Sequence, residues 1–200
     1  MNPNHPQRLL NNTGPRLSRV VWNTNGWQSP SGPVGKSRNA GNHEQRYNFG
    51  YEEWSLDTEK VIDGYKYGFL EPMNQHFAAY TNQIFPDIYL YTIHGPTGRR
   101  YWAAHLRNVE VLTQAECDWA TNEYNQRGWL DEMKRQIHIA ANQDDFTEYH
   151  NGRIVHLRFK PKESIIFPKP ILIKPNHPIY RPHGFDRFQL FKATDMELPQ

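Results

Sequence analysis

Hydrophobic and polar positions alternate in several short runs along this chain, as is typical of strands with one face in a core. Residues 65–70 alternate in this way, and residues 88–94 form a β-rich run that ends in a GPTG turn. Residues 100–112 follow as the partner strand of a hairpin. Further strands are predicted at residues 20–22, 153–159 and 186–192.

One long helix is predicted over residues 113–141. Thr113 and Glu116 fit a capping box, in which each side chain binds the backbone N–H of the other residue. Helix-forming residues then continue to Ala141, with Gly128 as one weak point. We therefore expect the α+β class, as a small curved or closed mixed β-barrel with one long helix and smaller flanking helices.

The composition of each segment predicts where the folded domain begins and where its long loops lie. Residues 1–16 are rich in Asn and Pro and are predicted to form a disordered tail, while residues 17–200 form a single domain of ordinary size. Residues 23–42 are a long loop rich in Gly, Ser, Pro and Asn, and such loops are usually functional. A Pro-rich passage at residues 161–182 is expected to run along the sheet surface.

Composition narrows the function classes. Aromatic residues make up 14% of the chain against 37% for all hydrophobic residues, so the core depends on rings more than on aliphatic side chains. The net charge is only +2, so affinity for nucleic acid would need a local patch. The single cysteine, Cys117, excludes an internal disulfide and fits a reducing compartment. With no long apolar segment, we expect a cytoplasmic protein without membrane contact.

Two segments that mix aromatic and polar residues, 22–27 (WNTNGW) and 47–54 (YNFGYEEW), carry the most informative chemistry. Rings stack on any nucleobase for roughly 1–3 kcal/mol, while amides and carboxylates choose among donor and acceptor patterns. For each ring the alternative is a place in the core. We predict a base-binding site made of Trp22, Asn23, Asn25, Trp27, Tyr47, Asn48, Phe49, Glu52, Glu53 and Trp54.

Cations near these segments are candidates for phosphate contacts. Arg99 and Arg100 lie at the tip of the predicted hairpin, and Lys36 and Arg38 lie in the long loop. We predict that these four side chains hold a nucleic-acid backbone, the alternative being a solvated surface.

The sequence lacks the patterns of a nucleotide phosphate-binding loop and of a metal site. Residues 33–37 (PVGKS) resemble part of a phosphate-binding loop, but the position five residues before Gly35, where that motif needs a glycine, is Pro30. The ten histidines fall in no recognised ligand spacing, so neither a metal nor a cofactor is predicted.

Several segments resemble a known superfamily. Residues 101–112 (YWAAHLRNVEVL) resemble a strand of PUA-like domains, which include EVE, YTH, ASCH and SRA-type readers. Residues 154–160 (IVHLRFK) and 187–191 (RFQLF) resemble the closing strands of such domains. Residues 22–27 and 49–54 resemble segments of prokaryotic proteins that are fused to HNH-type nucleases in modification-dependent restriction. The chain lacks the His-Asn-His pattern and the zinc-binding cysteines of such a nuclease.

The resemblance implies an aromatic pocket that accepts one flipped nucleobase, often methylated. We therefore predict a non-catalytic module that recognises a modified base, in DNA rather than RNA, as the specificity module of a restriction or defence system. A nuclease would be its partner or a fused domain.

Two alternatives stay open. The same rings would serve an RNA-binding module. A nuclease or a base-acting hydrolase would use Glu52 or Glu53 as general base, and a phosphodiesterase would add His43 or His150.

Overall fold

The computed structural model describes residues 8–10, 14–37, 43–144, 153–181 and 185–199. Their strands are β1 (Leu9–Leu10), β2 (Arg16–Val20), β3 (Val61–Ile62), β4 (Tyr65–Gly68), β5 (Gln83–Ile93), β6 (Arg100–Val111), β7 (Leu157–Phe159), β8 (Ile165–Leu172) and β9 (Leu190–Lys192). The helices are α1 (His43–Tyr47), α2 (Glu71–Gln75), α3 (Phe77–Tyr80), α4 (Gln114–Gln126) and α5 (Trp129–Ala141). Short 3₁₀ turns lie at Tyr51–Trp54, Pro161–Glu163 and Pro178–Tyr180.

The long hairpin of β5 and β6 is the centre of the sheet. Its β-branched and aromatic residues pair in antiparallel register from Ile84 opposite Glu110 to Ile93 opposite Arg100. The turn closes where the backbone N–H of His94 donates to Arg99 O at 2.9 Å. The predicted hairpin is therefore confirmed.

Within the described ranges the sheet has nine strands, in the order β3-β4-β7-β6-β5-β2-β9, with β1 beside β5 and β8 beside β6. β1 and β2 run parallel to β5, and the other pairs are antiparallel. The terminal strands β3 and β9 are two and three residues long, too short to supply the ladder that closure needs. Over the described residues the sheet is open, so the α+β class is confirmed and the closed barrel is wrong.

The predicted long helix is two helices. The capping box at its start is present, with Glu116 N donating to Thr113 Oγ1 and Thr113 N donating to Glu116 Oε2. The helix ends at Gln126 because Gly128 takes a φ of 70°, in the left-handed region, and α5 starts directly after it. The prediction of one helix over residues 113–141 is therefore wrong at that glycine.

Residues from both ends of the chain join the sheet. Arg8 donates to Glu110 Oε2 at 2.8 Å and to Glu116 Oε1 at 2.5 Å, and its side chain is buried. Within the segment expected to be a disordered tail, residues 9–10 form β1 and Arg16 begins β2. Residues 1–7 and 11–13 lie outside the described part of the chain. No helix in that part is long and apolar enough to cross a bilayer.

Candidate functional site

The segment YNFGYEEW folds as two short helical turns around a left-handed residue. Asn48 has a φ of 61°, which asparagine accepts at smaller cost than most residues, and Gly50 precedes the 3₁₀ turn Tyr51–Trp54. A Cβ at Gly50 would lie 2.7 Å from Val21 Cγ1 and 2.8 Å from Glu52 Oε2, so a side chain has no room there. The two glutamates of the turn, Glu52 and Glu53, follow this close approach and have different surroundings.

Glu53 is the centre of a buried polar network. The residue is 0% exposed, and its Oε1 accepts from Lys36 Nζ at 2.9 Å and from Asn23 Nδ2 at 2.7 Å. The backbone N–H groups of Ser31 and Gly50 also donate to its carboxylate, at 3.0 and 2.9 Å. The network ties the long loop to the aromatic segment, and it joins three residues that are predicted to bind nucleic acid.

Three of the predicted stacking rings lie in the interior. Trp27, Phe49 and Trp54 are all buried. Trp27 Nε1 donates to Val21 O at 3.0 Å, and Trp54 Nε1 donates to Gln136 Oε1 at 2.6 Å. Both indole N–H groups are thus used inside the protein, as burial of tryptophan requires.

The other predicted base-binding residues are more accessible but lie apart. Trp22 is half-buried, with its ring 4.6 Å from that of His94. Tyr47 is half-buried and its ring lies 4.6 Å from that of His43, whereas Asn25 is exposed and donates to Pro30 O at 2.9 Å. Each of these side chains therefore contacts different neighbours among the described residues.

A cavity of about 190 Å³ lies beside Glu52. It is enclosed by the end of β2, α1, the 3₁₀ turn, α2 and a segment near the C-terminus. Its ring walls are Tyr51, Phe69 and Phe188, and its polar lining is His43, Glu44, Glu52, Glu71 and Gln75. Of the ten predicted base-binding residues, Glu52 alone lines it.

Carboxyl groups dominate the electrostatics of the cavity. Burial, together with the nearby carboxyls of Glu71 and Glu44, raises the pKa of Glu52 to about 8. Burial also raises the pKa of Glu44 and that of Glu71. Near neutral pH Glu52 is therefore mostly protonated, and a protonated carboxyl offers both a hydrogen-bond donor and an acceptor.

Arg19 joins the acidic wall of the cavity to its C-terminal wall. Its Nη2 lies 2.9 Å from Glu44 Oε1, and its guanidinium lies 4.4 Å from the centre of the Phe188 ring. Its Nη1 donates to Asp186 O at 2.5 Å. These contacts hold the Phe188 ring beside residues that are far away in sequence.

The four side chains that are predicted to bind phosphates differ in burial and in their partners. Lys36 is buried against Glu53, and Arg100 is buried, donating to Ile179 O and, at 2.5 Å, to Asp186 Oδ1. Arg99 is exposed. Arg38 lies outside the described residues, as does His150 of the alternative phosphodiesterase.

Most of the residues that line the cavity do not follow from the sequence patterns. Those patterns point to His43 only for an enzyme, and they leave Tyr51 unselected within the aromatic segment. Phe69 and Glu71 flank a predicted strand end, and Phe188 comes from a distant strand segment. The available signal is the repeated pairing of a ring with a glutamate, as in Tyr51-Glu52 and Phe69-Leu70-Glu71.

Two further cavities have fewer ionisable side chains in their lining. One of about 260 Å³ is lined by Trp102, His177 and residues of the C-terminal segment, and one of about 380 Å³ lies beside β8. Neither brings several carboxyl groups together. Within the described ranges, no group of three or more His, Cys, Asp or Glu side chains is arranged to hold a metal ion.

Comparison with known proteins finds no matching family model, no similar curated protein and no solved structure with a matching fold. The resemblance to PUA-like domains therefore stays a prediction.

Proposed function

We propose that the protein binds a single nucleobase, flipped out of a DNA strand, in the cavity beside Glu52. The observation that carries this proposal is a cavity with three ring walls and a polar lining that includes the Glu52 carboxyl. Rings supply stacking, and the polar groups of the lining bind the base edge. Its volume of about 190 Å³ is below the ~300–1,000 Å³ of sites for drug-sized ligands, which suits one ring system.

We propose further that the bound base is a modified one and that the protein is a specificity module of a restriction or defence system, with a nuclease as partner or fused domain. Support comes from the resemblance of residues 101–112 and 187–191 to PUA-like domains, with an open sheet in place of the closed barrel. A methyl group on the base adds apolar surface that the three rings can bury.

A second candidate is a base-acting hydrolase that uses the same cavity. The raised pKa of Glu52 favours it, because a carboxyl that is protonated near neutral pH can act as a general acid. His43 lines the same cavity. Release of a free base or a strand break from modified oligonucleotides, with or without divalent metal, would support this candidate, and an unchanged oligonucleotide would remove it.

The proposed function is tested by fluorescence-anisotropy titration at physiological salt. The panel consists of matched duplexes with unmodified cytosine, 5-methylcytosine, 5-hydroxymethylcytosine or N6-methyladenine, and an RNA duplex of the same sequence. We expect one modified DNA duplex to bind at least about 10-fold more tightly than the unmodified one, a difference of ~1.4 kcal/mol. Uniformly weak binding would contradict the proposal, and preference for RNA would favour the RNA-binding alternative.

A further inference from the structure

Carboxyl oxygens are the most numerous polar atoms among the described side chains that line the cavity. Three carboxyl groups, those of Glu44, Glu52 and Glu71, line it together with the amide of Gln75. Gln75 Nε2 already donates to Glu71 Oε1 at 3.0 Å. The carboxyl oxygens of Glu44 and Glu71 accept hydrogen bonds, so a ligand that brings donors can satisfy them.

One of these acceptors is buried and unsatisfied. The Glu44 side chain is 1% exposed, and its Oε1 is paired with Arg19 Nη2 at 2.9 Å. Its Oε2 has no hydrogen-bond partner in the described part of the chain. A buried acceptor without a donor is costly, and more so when it is charged. Glu44 lines the cavity, so a ligand N–H removes this cost once the buried Oε2 turns toward the ligand.

We infer that the cavity selects bases with an unsubstituted amino group at the position of cytosine N4 or adenine N6, which are cytosine, 5-methylcytosine and adenine, over bases with a carbonyl at that position. This inference rests on the proposed function. An amino group brings two N–H donors to the carboxylate oxygens. A carbonyl in the same place would put a further acceptor among them, leaving both sides unpaired.

Glu52 adds a second contact to the same base edge. In cytosine and adenine the amino group stands beside an unprotonated ring nitrogen. A carboxyl that keeps its proton near neutral pH can donate to that nitrogen while accepting from the amino N–H. Two parallel hydrogen bonds fix the orientation of the base, while selection against the carbonyl comes from the unpaired Oε2 of Glu44.

Matched base pairs of equal shape test this inference. 5-Methylcytosine and thymine differ in the amino or carbonyl group and the adjacent ring nitrogen, and adenine and hypoxanthine differ in the same way. Each base is placed opposite an abasic site in one duplex sequence, so that neither member is paired, and affinities are measured by anisotropy. We expect the amino member of at least one pair to bind about 10-fold or more tightly than its carbonyl counterpart.

A substitution at Glu44 should change this preference. Glu44→Gln keeps an acceptor for Arg19 and brings an amide N–H₂ to the position of Oε2, so the preference should shrink or invert. Glu116→Gln is the matched control, because Glu116 is also buried and paired with an arginine, Arg8, but does not line the cavity. Circular dichroism verifies folding, and Glu71→Gln replaces Glu44→Gln if that variant does not fold.

The outcomes separate the two proposals. An amino preference that Glu44→Gln weakens and Glu116→Gln keeps supports the inference. Equal binding of both members of each pair, but tighter than binding of a fully paired duplex, overturns the inference and leaves the proposed function standing. Binding no tighter than to the fully paired duplex overturns both.

Discussion

At the scale of single residues, Glu52 and Glu53 are sequence neighbours that are both buried, yet their charge surroundings differ. Glu53 forms an ion pair with Lys36, whose Nζ lies 2.9 Å from Glu53 Oε1, whereas Glu52 lies near the carboxyls of Glu71 and Glu44. Burial favours the protonated form of Glu52 and the adjacent carboxyls add to this, whereas an adjacent cation stabilises an ionised carboxylate. One glutamate therefore organises the loop, and the other gives the cavity a protonated carboxyl.

The raised pKa of Glu52 predicts how stability changes with pH. Its pKa rises from 4.5 to about 8 on folding, so the folded state keeps a proton that the unfolded state releases between these values. The stability that this group contributes is full below pH 4.5 and falls as the pH rises to 8, by up to about 1.4 kcal/mol per pH unit. In Glu52→Gln the free energy of unfolding, measured in urea from pH 5 to pH 8, should fall less than in the wild type.

The wild type minus variant difference isolates Glu52. His43, Glu44 and Glu71, which line the same cavity, and Arg19, which pairs with Glu44, are present in both proteins. Glu52 changes the titration of Glu44 and Glu71 only where it is itself ionised, so the difference below pH 8 comes mainly from Glu52. Lys66, whose pKa burial lowers to about 7, acts in the opposite direction above that pH and is also common to both. Parallel curves would show that Glu52 is ionised in the folded protein throughout this range.

The network around Glu53 predicts a large loss of stability on its removal. Glu53→Ala leaves the buried ammonium of Lys36 without its carboxylate, which should cost ~3–5 kcal/mol of unfolding free energy. Glu123→Ala is the control, because its pair with Arg127 is partly exposed and should contribute less than ~1 kcal/mol. Similar losses for both variants in urea unfolding would contradict a structural role for Glu53.

Sequence identifies such residues but not their surroundings. The pattern of rings and acids in YNFGYEEW correctly singles out a segment that includes Tyr51 and Glu52. Which side chain of a 3₁₀ turn faces a cavity depends on the left-handed Asn48 and on the contact of Gly50 with Val21. Neither is encoded in the types of residue alone.

At the scale of elements, local signals are predictable and long-range pairings are not. The hairpin of β5 and β6 and the cap at Thr113 depend on residues close in sequence, and both are predicted correctly. The parallel pairing of β2 with β5 brings Arg16 opposite Ile88, which no local pattern signals.

The break between α4 and α5 predicts an effect of substitution at Gly128. Its φ of 70° is strained for a residue with a Cβ, although no atom lies within 4 Å of a Cβ built there. Gly128→Ala should therefore lower the unfolding free energy by ~1–2 kcal/mol through backbone strain alone. Gly128→Asn should cost less, because asparagine tolerates this region better. Equal stability of Gly128→Ala and the wild type would mean that α4 and α5 join without the left-handed residue.

At the scale of the whole molecule, the cavity is assembled from segments that stand far apart in sequence. Val21 and Phe188 line the same cavity, and Arg19 bridges from Glu44 to the Phe188 ring. Local sequence patterns do not reveal such convergence, so they predict a base-binding site at Trp22 and Trp27, which are close in the chain. The cavity itself depends on the path of β2 and on the position of the C-terminal segment.

The most direct test compares the ring that lines the cavity with a ring that does not. The preference for a modified over an unmodified duplex is measured by anisotropy for the wild type, Phe188→Ala and Trp22→Ala, with circular dichroism to show that each is folded. The cavity predicts that Phe188→Ala loses the preference by about 10-fold or more, as loss of a stacking contact implies, while Trp22→Ala keeps it. A preference lost in Trp22→Ala and kept in Phe188→Ala would contradict base binding beside Glu52.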